Sequence, residues 1–268
     1  MIIKKISFVL VVSLCFVGAG CSPEKKLEST TSIPPTSVER SAPSPEVKSV
    51  ANGLERMTFQ FGSSAGEHLL LYKIDPAQYD FSIEHASSAR SIADWQLTLG
   101  MPMLVVNGAY FHEDYSPSGM LIINGERIGS RTFDLDKSAL LELSPLPQII
   151  ETKTEVLPAQ TKHALQSYPL LVRNGMNVIQ SDSGLVARRT FFGFDTDGFA
   201  YIGILADAEL SLFELGHVLE KNNIKWKNVL NLDGGPSSGL AVVNGEIKNS
   251  IFPVPNVIVV KEKVSKTP

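Results

Sequence analysis

The sequence predicts an α+β fold, with one large curved mixed β-sheet and helices packed on one side of it. Short apolar or alternating runs, which are typical of strands, recur along most of the chain. Only two segments carry the start signals and apolar spacing of helices. The predicted folded domain spans residues 54–263, about 210 residues, which is enough for a single domain with a sizeable core.

Strand runs and glycine turns define the predicted sheet. Asn124-Gly125 and Asn244-Gly245 lie between such runs and predict type I′ hairpin turns, and Asn174-Gly175 is a third candidate. The predicted strands are 57–61, 69–74, 81–85, 103–106, 120–123, 140–143, 170–173, 190–194, 201–205, 229–232, 240–243 and 257–260.

Two segments predict helices. Residues 91–99 begin with a Ser-x-x-Asp pattern, and residues 211–221 begin with Ser211 and Glu214 in the spacing of a capping box. The apolar residues of the second segment recur at helical spacing, namely Leu212, Leu215 and Leu219.

The second helix lies between two predicted strands, 201–205 and 229–232. This order is typical of a β-α-β unit, whose two strands run parallel in one sheet. The other connections are typical of antiparallel hairpins. The combination is what makes the predicted sheet a mixed one.

The first 20 residues predict a targeting segment. Lys4 and Lys5 precede an apolar run at 6–17 that is too short to span a bilayer, and small residues then lead to Cys21. This pattern resembles a bacterial lipoprotein signal, which implies cleavage before Cys21 and a lipid on that residue. The chain would then be anchored to a membrane of the cell envelope and face away from the cytoplasm. An uncleaved anchor and an ordinary secretory signal are the alternatives.

Residues 21–53 predict a disordered tether, and residues 264–268 a short tail. The tether segment is rich in Ser, Thr, Pro, Glu and Lys and has few large apolar side chains. Such a composition cannot bury enough surface to offset the entropy lost on ordering. Its prolines favour extended conformations that hold a domain away from a membrane.

Charge and cysteine content exclude several classes of function. The chain carries a net charge of −4, of which the first 20 residues contribute +2, so the remainder carries −6 and has no basic patch for nucleic acid. The only other cysteine, Cys15, lies in the targeting segment, so neither a disulfide nor a cysteine-based metal site is expected. The serine-hydrolase elbow, the HExxH zinc motif and the EF-hand loop are absent from the sequence.

Four predicted strands end in polar or glycine-rich residues, where a rigid sheet can hold side chains against a ligand. The most informative is the segment 229–240, in which an apolar run ends at Asp233 and two glycines follow. The other three are 105–111, 167–172 and 187–193. An isolated Asp-Gly-Gly is more often an ordinary turn, so the argument depends on all four together.

Taken in order, these motifs resemble the phosphodiester glycosidase family over nearly all of the predicted domain. The matching segments are Asn107-Gly108-Ala109-Tyr110-Phe111, the strand 167–172 before Asn174-Gly175, Arg189-Thr190, the helix start with Glu214, and Asn231-Leu232-Asp233-Gly234-Gly235 with Ser237-Ser238. The resemblance implies hydrolysis of a sugar-1-phosphate diester in a phosphorylated glycan of the cell envelope or extracellular space. It implies neither a cofactor nor a bound metal.

The resemblance assigns the catalytic positions to Asp233, Arg189, Asn107 and Glu214. Asp233 suits a nucleophile, a general base or a stabiliser of an oxocarbenium-like transition state. Arg189 suits bidentate binding of phosphate. Asn107 suits a hydrogen bond to a sugar hydroxyl or a phosphate oxygen. The predicted substrate-binding residues are Gly108, Tyr110, His112, Thr190, Gly234, Gly235, Ser237 and Ser238, with the N–H groups near the two loop glycines cradling the anion.

Several of these residues have simpler explanations. Arg189 alone would more often be a surface ion-pair partner. Glu214 is equally typical of a helix cap, and His112 of an exposed loop. Asp195 and Asp197 flank a turn and are assigned to turn chemistry.

The chain departs from the family pattern at three places. Pro236 replaces a glycine, which removes one backbone donor and is expected to hold Gly235 in an extended conformation. Arg188 replaces a proline, and residues 252–255 replace a segment that often carries an arginine. A non-catalytic, phosphoglycan-binding envelope lipoprotein is therefore the main alternative, and a metal-dependent phosphodiesterase with Asp and Asn ligands is a weaker one.

Overall fold

Antiparallel β-strands make up most of the chain in the computed structural model, which describes residues 45–62, 68–129, 134, 137–153 and 156–264. The predicted targeting segment, Cys21, most of the tether and the end of the tail lie outside the described residues. All described residues fall within one compact unit of the chain. Among them, no helix has the length and apolar character that a membrane crossing requires.

The strands and helices are numbered in chain order. The strands are β1 (Glu46–Ala51), β2 (Leu54–Gln60), β3 (His68–Ile74), β4 (Tyr79–Arg90), β5 (Leu104–Asn107), β6 (Met120–Ile123), β7 (Glu126–Gly129), β8 (Ala139–Ser144), β9 (Gln148–Glu151), β10 (His163–Ser167), β11 (Leu170–Arg173), β12 (Met176–Asn177), β13 (Ala187–Asp195), β14 (Ala200–Leu210), β15 (Trp226–Asn231), β16 (Leu240–Val242), β17 (Ile247–Lys248) and β18 (Val254–Glu262). The helices are α1 (Ile92–Thr98), α2 (Leu212–Lys221) and a short 3-10 turn (Gly235–Ser237).

The described strands form three sheets, and every pairing among them is antiparallel. The first sheet has the order β1-β2-β3-β14-β13-β15-β11-β12, the second β7-β6-β10-β8-β9, and the third β17-β16-β5-β18-β4. Each sheet directs one face into a shared apolar core. Representative core residues are Ile202 and Leu230 from the first sheet, Leu141 and Leu165 from the second, and Val106 and Ile258 from the third.

The outer faces of the sheets are also covered. On the first sheet, Leu215 and Leu219 of α2 pack with Tyr201 and Val229. On the third sheet, Trp95 of α1 packs in a separate cluster with Val105 and Val257. Burial on both faces explains why many of the strands read as continuous apolar runs, without the alternation of a half-exposed strand.

These findings correct the predicted architecture. The molecule is more β-rich than the α+β prediction, its one large mixed sheet is three antiparallel sheets, and its two helices cover different sheets. The β-α-β prediction failed for a specific reason. Strands β14 and β15 run in the same direction, but β13 lies between them and pairs antiparallel with both.

The predicted turns were confirmed at two of three places. Asn124-Gly125 and Asn174-Gly175 have positive φ at both residues and join directly paired strands, as a type I′ turn requires. At Asn244-Gly245 only the asparagine has positive φ, and the nearest paired residues are Ala241 and Ile247. That hairpin therefore has a longer loop of another type.

The folded part begins earlier than predicted. Strand β1, Glu46–Ala51, lies inside the segment assigned to the tether and pairs with β2. Val50 and Ala51 pack against the central core, although most of β1 is exposed. Pairing with β2 orders a segment whose composition alone resembles that of the linker before it.

Candidate active site

The candidate site lies where strands of two sheets end next to each other. Asn107 ends β5 in the third sheet, while Thr190 lies in β13 and Asn231 ends β15 in the first sheet. Two backbone hydrogen bonds fix the segment after β15: the Leu232 N–H donates to the Thr190 carbonyl at 2.9 Å, and the Asp233 N–H to the Gly108 carbonyl at 3.2 Å. Asp233 is thus held between the two sheets.

The Asn107 side chain binds both sheets and the loop between them. Its amide nitrogen donates to the Asp233 main-chain carbonyl at 2.7 Å. Its carbonyl oxygen accepts the Thr190 hydroxyl at 2.8 Å and the Gly239 N–H at 3.1 Å. Asn107 is only 1% exposed. Its contact with a sugar or phosphate stays a prediction, while its hydrogen bonds position the Asp233 loop.

The carboxyl group of Asp233 is partly buried and hydrogen-bonded by its own loop. The Gly234 N–H donates to its Oδ1 at 2.9 Å, and the Ser237 hydroxyl also donates to the carboxylate. Burial nevertheless dominates these two bonds and raises the pKa of Asp233 to about 6. A carboxylate with this pKa changes its charge close to neutral pH, as catalytic acids and bases do.

Tyr110 forms one wall beside Asp233. Asn231 donates to its hydroxyl at 2.8 Å, and the hydroxyl donates to the Tyr168 carbonyl at 3.3 Å. Burial, and then the negative charge of Asp233, raise the pKa of Tyr110, whereas Arg189 acts to lower it. Tyr110 is therefore neutral at physiological pH and lies within electrostatic reach of both predicted catalytic residues.

Arg189 is oriented by main-chain carbonyls. Its Nε donates to the Leu210 carbonyl at 2.9 Å and its Nη2 to the Leu185 carbonyl at 2.8 Å. Burial lowers its pKa, against opposing contributions from Tyr110 and Glu209. Within the described part of the chain, no carboxylate pairs with this guanidinium at ion-pair distance. The residue therefore differs from an ordinary surface ion pair, and its Nη1 group has no protein partner there.

The loop after Asp233 depends on its two glycines for different reasons. A Cβ at Gly234 would lie 2.9 Å from the Arg188 carbonyl oxygen, so only glycine fits without displacing backbone. Gly235 has φ +57, in the left-handed region. The expectation that Pro236 would keep Gly235 extended is therefore wrong, because the 3-10 turn that Pro236 and Ser237 complete begins at that left-handed residue.

The predicted anion cradle is only partly available. The Gly234 N–H is used by Asp233, the Ser237 N–H donates to the Gly234 carbonyl, and the Ser238 N–H donates to the Gly235 carbonyl. Pro236 has no N–H to offer. The loop consequently stabilises its own carboxylate and turn more than it offers donors to a ligand.

Comparison with known proteins identifies the family. The model of the phosphodiester glycosidase family matches residues 102–261, which include the Asn107, Arg189 and Asp233 segments. The chain belongs to the phosphodiester glycosidase family. Membership supports a glycosidase-type function and implies a glycan substrate. No protein with a curated description matches the sequence.

Solved structures share the fold of this phosphodiester glycosidase domain. The catalytic domain of zebrafish N-acetylglucosamine-1-phosphodiester alpha-N-acetylglucosaminidase, auto-inhibited by its pro-peptide, matches with TM-score 0.58 and 12% identity over 82% of each chain. A Synechocystis protein matches with TM-score 0.56 and 15% identity over 83% of this chain, which spans 64% of that protein's length. A Burkholderia pseudomallei protein matches with TM-score 0.52 and 10% identity over 77% of this chain and 74% of that one. At these identities the likeness shows the fold alone.

Two predicted residues of the phosphodiester glycosidase domain lie apart from this cluster of contacts. Glu214 completes the capping box of α2, where its carboxylate accepts the Ser211 N–H at 2.8 Å and its own N–H donates to the Ser211 hydroxyl. Its exposed side chain forms the helix cap that the sequence also allowed, and its catalytic role stays a prediction. His112 is exposed in a turn whose N–H donates to the Ser116 carbonyl.

Sequence reasoning missed Asn256, which orders the glycine segment of the family motif. Its side chain accepts the Ala109 N–H at 2.6 Å and donates to the Ala109 carbonyl at 3.0 Å. A Cβ at Gly108 would lie 2.5 Å from the Asn256 Oδ1, which explains the glycine. The available signal was a single polar residue inside the apolar run of β18.

Lys137 was also missed. Its ammonium lies 4.6 Å from the ring centroid of Tyr168 and 5.6 Å from that of Tyr110, and 3.2 Å from Asp134. The two rings are themselves 4.9 Å apart. Lys137 is 7% exposed, so this cation supports the aromatic wall of the site from within. Across the described ranges, no three His, Cys, Asp or Glu side chains come together as a metal would require.

Proposed function

We propose that this chain hydrolyses a glycosyl phosphodiester in a cell-envelope or extracellular glycan. The observation that carries the proposal is the Asp233 carboxyl group, whose pKa is raised to about 6 and which, like Arg189, acts electrostatically on Tyr110. Family membership supports glycosidase chemistry, and a guanidinium without a carboxylate partner supports an anionic substrate. Both groups act on the same residue, Tyr110, which assigns them to one region of the molecule.

In the proposed reaction the bond between the anomeric carbon and the phosphate oxygen breaks, and water supplies the hydroxyl group of the released sugar. The departing phosphate monoester is a stable anion, so it needs charge stabilisation more than a strong proton donor. Arg189 would bind its oxygens through Nη1, which the protein leaves available. The ionised form of Asp233 would act at the anomeric centre as nucleophile, as base for water, or as stabiliser of positive charge.

Asn107 would serve this reaction as a positioning residue. It is buried and holds the Asp233 main chain, the Thr190 hydroxyl and the Gly239 N–H together. A carboxylate displaced by even about 1 Å loses much of its catalytic effect, so rigid attachment to two sheets is a functional requirement. Ser237 keeps the carboxylate oriented by its hydrogen bond.

The second candidate is a phosphoglycan-binding protein without turnover. Pro236 favours it, because the loop lacks one N–H donor and the Gly234 N–H is already used by Asp233. Binding needs Arg189 and the aromatic wall but no reacting carboxylate. Glycan binding without release of a reducing sugar would select this function.

We further propose that the chain is tethered to a membrane of the bacterial cell envelope through a lipid on Cys21. The support is the sequence alone: a basic start, a short apolar run and small residues before the cysteine. Metabolic labelling with a fatty-acid analogue tests this, with Cys21→Ser as the control. Equal labelling of both chains would contradict it.

The enzymatic proposal is tested on a panel of synthetic sugar-1-phosphate diesters by measuring the reducing sugar released. We expect turnover by the wild type, a rate that rises with pH through about 6 as Asp233 ionises, and a loss of about 10³-fold in Asp233→Asn. Asp197→Asn is the matched control, because Asp197 lies exposed in a turn. Equal inertness of wild type and Asp233→Asn across the panel would contradict hydrolysis.

A further inference from the structure

Four large apolar side chains stand exposed on the two segments that flank the candidate site. The exposed fractions are 73% for Leu185, 55% for Val186, 63% for Ile251 and 61% for Phe252. We call these four residues the apolar rim. Single exposed apolar residues are normal on proteins, but a group of them beside a site marks a binding surface.

One half of the apolar rim is attached to the loop of Asp233. The carbonyl of Pro236, three residues after Asp233, accepts the N–H groups of both Ile251 and Phe252, at 2.7 and 3.1 Å. The proline thereby fixes these two residues next to the loop that holds the carboxylate. Residues 236 and 252, both of which depart from the family pattern, are in direct contact.

The other half is attached to the arginines. Arg189 Nη2 donates to the Leu185 carbonyl at 2.8 Å, which places the rim next to the group assigned to phosphate. Arg188 Nη2 donates to the carbonyls of Ser238 and Asn249, at 2.8 and 3.3 Å, and so connects this segment to the one that carries Ile251. The two halves therefore form the border of one region.

The charges around the apolar rim are distributed unevenly. Asp207 and Glu209 both act on Arg188, which is also bonded to two carbonyls. Glu209 acts on Arg189 electrostatically, but no described residue forms an ion pair with it, so the Arg189 guanidinium is the better placed of the two to attract an anion. A ligand that fits this arrangement has a phosphate group at Arg189 and a hydrocarbon part that extends over the rim.

We infer that the apolar rim binds a hydrocarbon chain esterified to the phosphate of the substrate, so that the substrate class is a sugar joined through phosphate to a lipid alcohol. The inference rests on the proposed function for the position of the phosphate. Hydrolysis of such a substrate releases a free sugar and a lipid phosphate, with no other reactant than water. The hydrocarbon contributes binding energy away from the bond that breaks, which is how remote groups raise specificity.

The direct test is calorimetric binding of dodecyl phosphate and methyl phosphate, each as monomers below the micelle concentration. We expect the wild type to bind dodecyl phosphate at least about tenfold more tightly than methyl phosphate. This difference corresponds to burial of roughly two methylene groups. The double variant Ile251→Ser, Phe252→Ser should lose this preference and keep its affinity for methyl phosphate. Leu146→Ser is the control, because Leu146 is 71% exposed on the loop between β8 and β9.

Turnover separates this inference from the proposed function. Two sugar-1-phosphodiesters are compared, one with a methyl group and one with a dodecyl group on the phosphate. In the double variant we expect kcat/KM to fall for the dodecyl ester only. If both esters are hydrolysed and chain length has no effect, the inference on the apolar rim is wrong and the proposed function is supported. Rim-dependent binding of dodecyl phosphate without hydrolysis of either ester supports the rim and contradicts the function.

A membrane contact is the outcome that would replace this inference. If the double variant loses affinity for phosphatidylcholine vesicles but binds monomeric dodecyl phosphate as the wild type does, the apolar rim is a membrane surface and the inference is wrong. Equal binding of dodecyl phosphate by the wild type, the double variant and Leu146→Ser also overturns it.

Discussion

The two sides of the candidate site are built in contrasting ways. At the strand ends, the Asn107 carboxamide makes three hydrogen bonds to buried groups that include the fully buried Thr190. On the other side, the Nε of Arg188, at the start of β13, and the hydroxyls of Ser238 and Ser250 are buried and have no hydrogen-bond partner among the described residues. The Asn107 carboxamide is thus paired on both its atoms, whereas the other side carries unpaired polar groups and exposed apolar side chains; at the strand ends, the Asn231 Oδ1 is also without a partner among the described residues.

This contrast indicates which residues are costly to change and which positions differ from the family pattern. A fully paired buried network is costly to alter, because each lost partner leaves another group unsatisfied. The chain differs from the family pattern at Arg188, Pro236 and 252–255, which are joined to the side opposite Asn107 by hydrogen bonds of Arg188 and of the Pro236 carbonyl. The Asn107 network positions the Asp233 loop, and under the proposed function the departures from the family pattern would affect what binds next to it.

The largest effect on stability should come from Asn107→Ala. It removes the partners of the Thr190 hydroxyl, the Gly239 N–H and the Asp233 carbonyl. We expect the free energy of unfolding to fall by about 3 kcal/mol, at roughly 1 kcal/mol for each buried group left unpaired. Urea denaturation measures it. Ser238→Ala is the matched control: a fully buried hydroxyl without a partner should cost under about 1 kcal/mol. If both variants lose a similar free energy of unfolding, the paired and unpaired sides do not differ in stability.

A smaller effect should follow the charge of Asp233. Its pKa is about 6 in the folded chain against an ordinary value of 3.8 for an aspartate, so the ionised carboxyl destabilises the fold. This contribution is absent below about pH 4 and is complete above about pH 6. Asp233→Asn should therefore be more stable than the wild type by about 1–2 kcal/mol at pH 8, after allowance for partial exposure, and about equal at pH 4. Thermal unfolding across this range measures the difference, and a constant difference would contradict the raised pKa.

The smallest effect should separate the two loop glycines. Gly235→Ala meets no heavy atom within 4 Å but must keep φ +57, so it should cost about 1 kcal/mol. Gly234→Ala places a methyl group 2.9 Å from the Arg188 carbonyl and should displace that segment, with a larger loss of activity than of stability. Parallel assays of turnover and unfolding check this pair. If Gly235→Ala reduces turnover more than Gly234→Ala does, the spacing between the loop and Arg188 is not critical.

Local sequence patterns were sufficient to predict part of the fold and of the candidate site. The order of motifs predicted that the segments of Asn107, Thr190 and Asp233 belong together, and hydrogen bonds join them. The capping patterns placed both helices within one or two residues. These features depend on residues close in sequence or on a family pattern that already contains the long-range information.

Other features depend on partners that no local pattern identifies. Asn256 accepts a hydrogen bond from Ala109, which lies 147 positions earlier in the chain. The position of β13 between β14 and β15 depends on how the whole sheet assembles. Strand β1 has the composition of a linker and is ordered by its pairing with β2 and by the packing of Val50 and Ala51 on the core. The burial of Asn107 could not be predicted for a related reason, since sequence gives a residue type but not whether its side chain reaches solvent.

The attachment of the Asp233 loop to two sheets has a consequence for how activity is lost. Because Asn107 belongs to the third sheet and Thr190 to the first, neither sheet can separate without releasing the carboxylate. The active geometry is then a cooperative property of the whole domain, and heat or denaturant should inactivate the protein in the same transition that unfolds it. We therefore expect no partly unfolded state that keeps activity, so that the remaining activity equals the fraction of folded molecules.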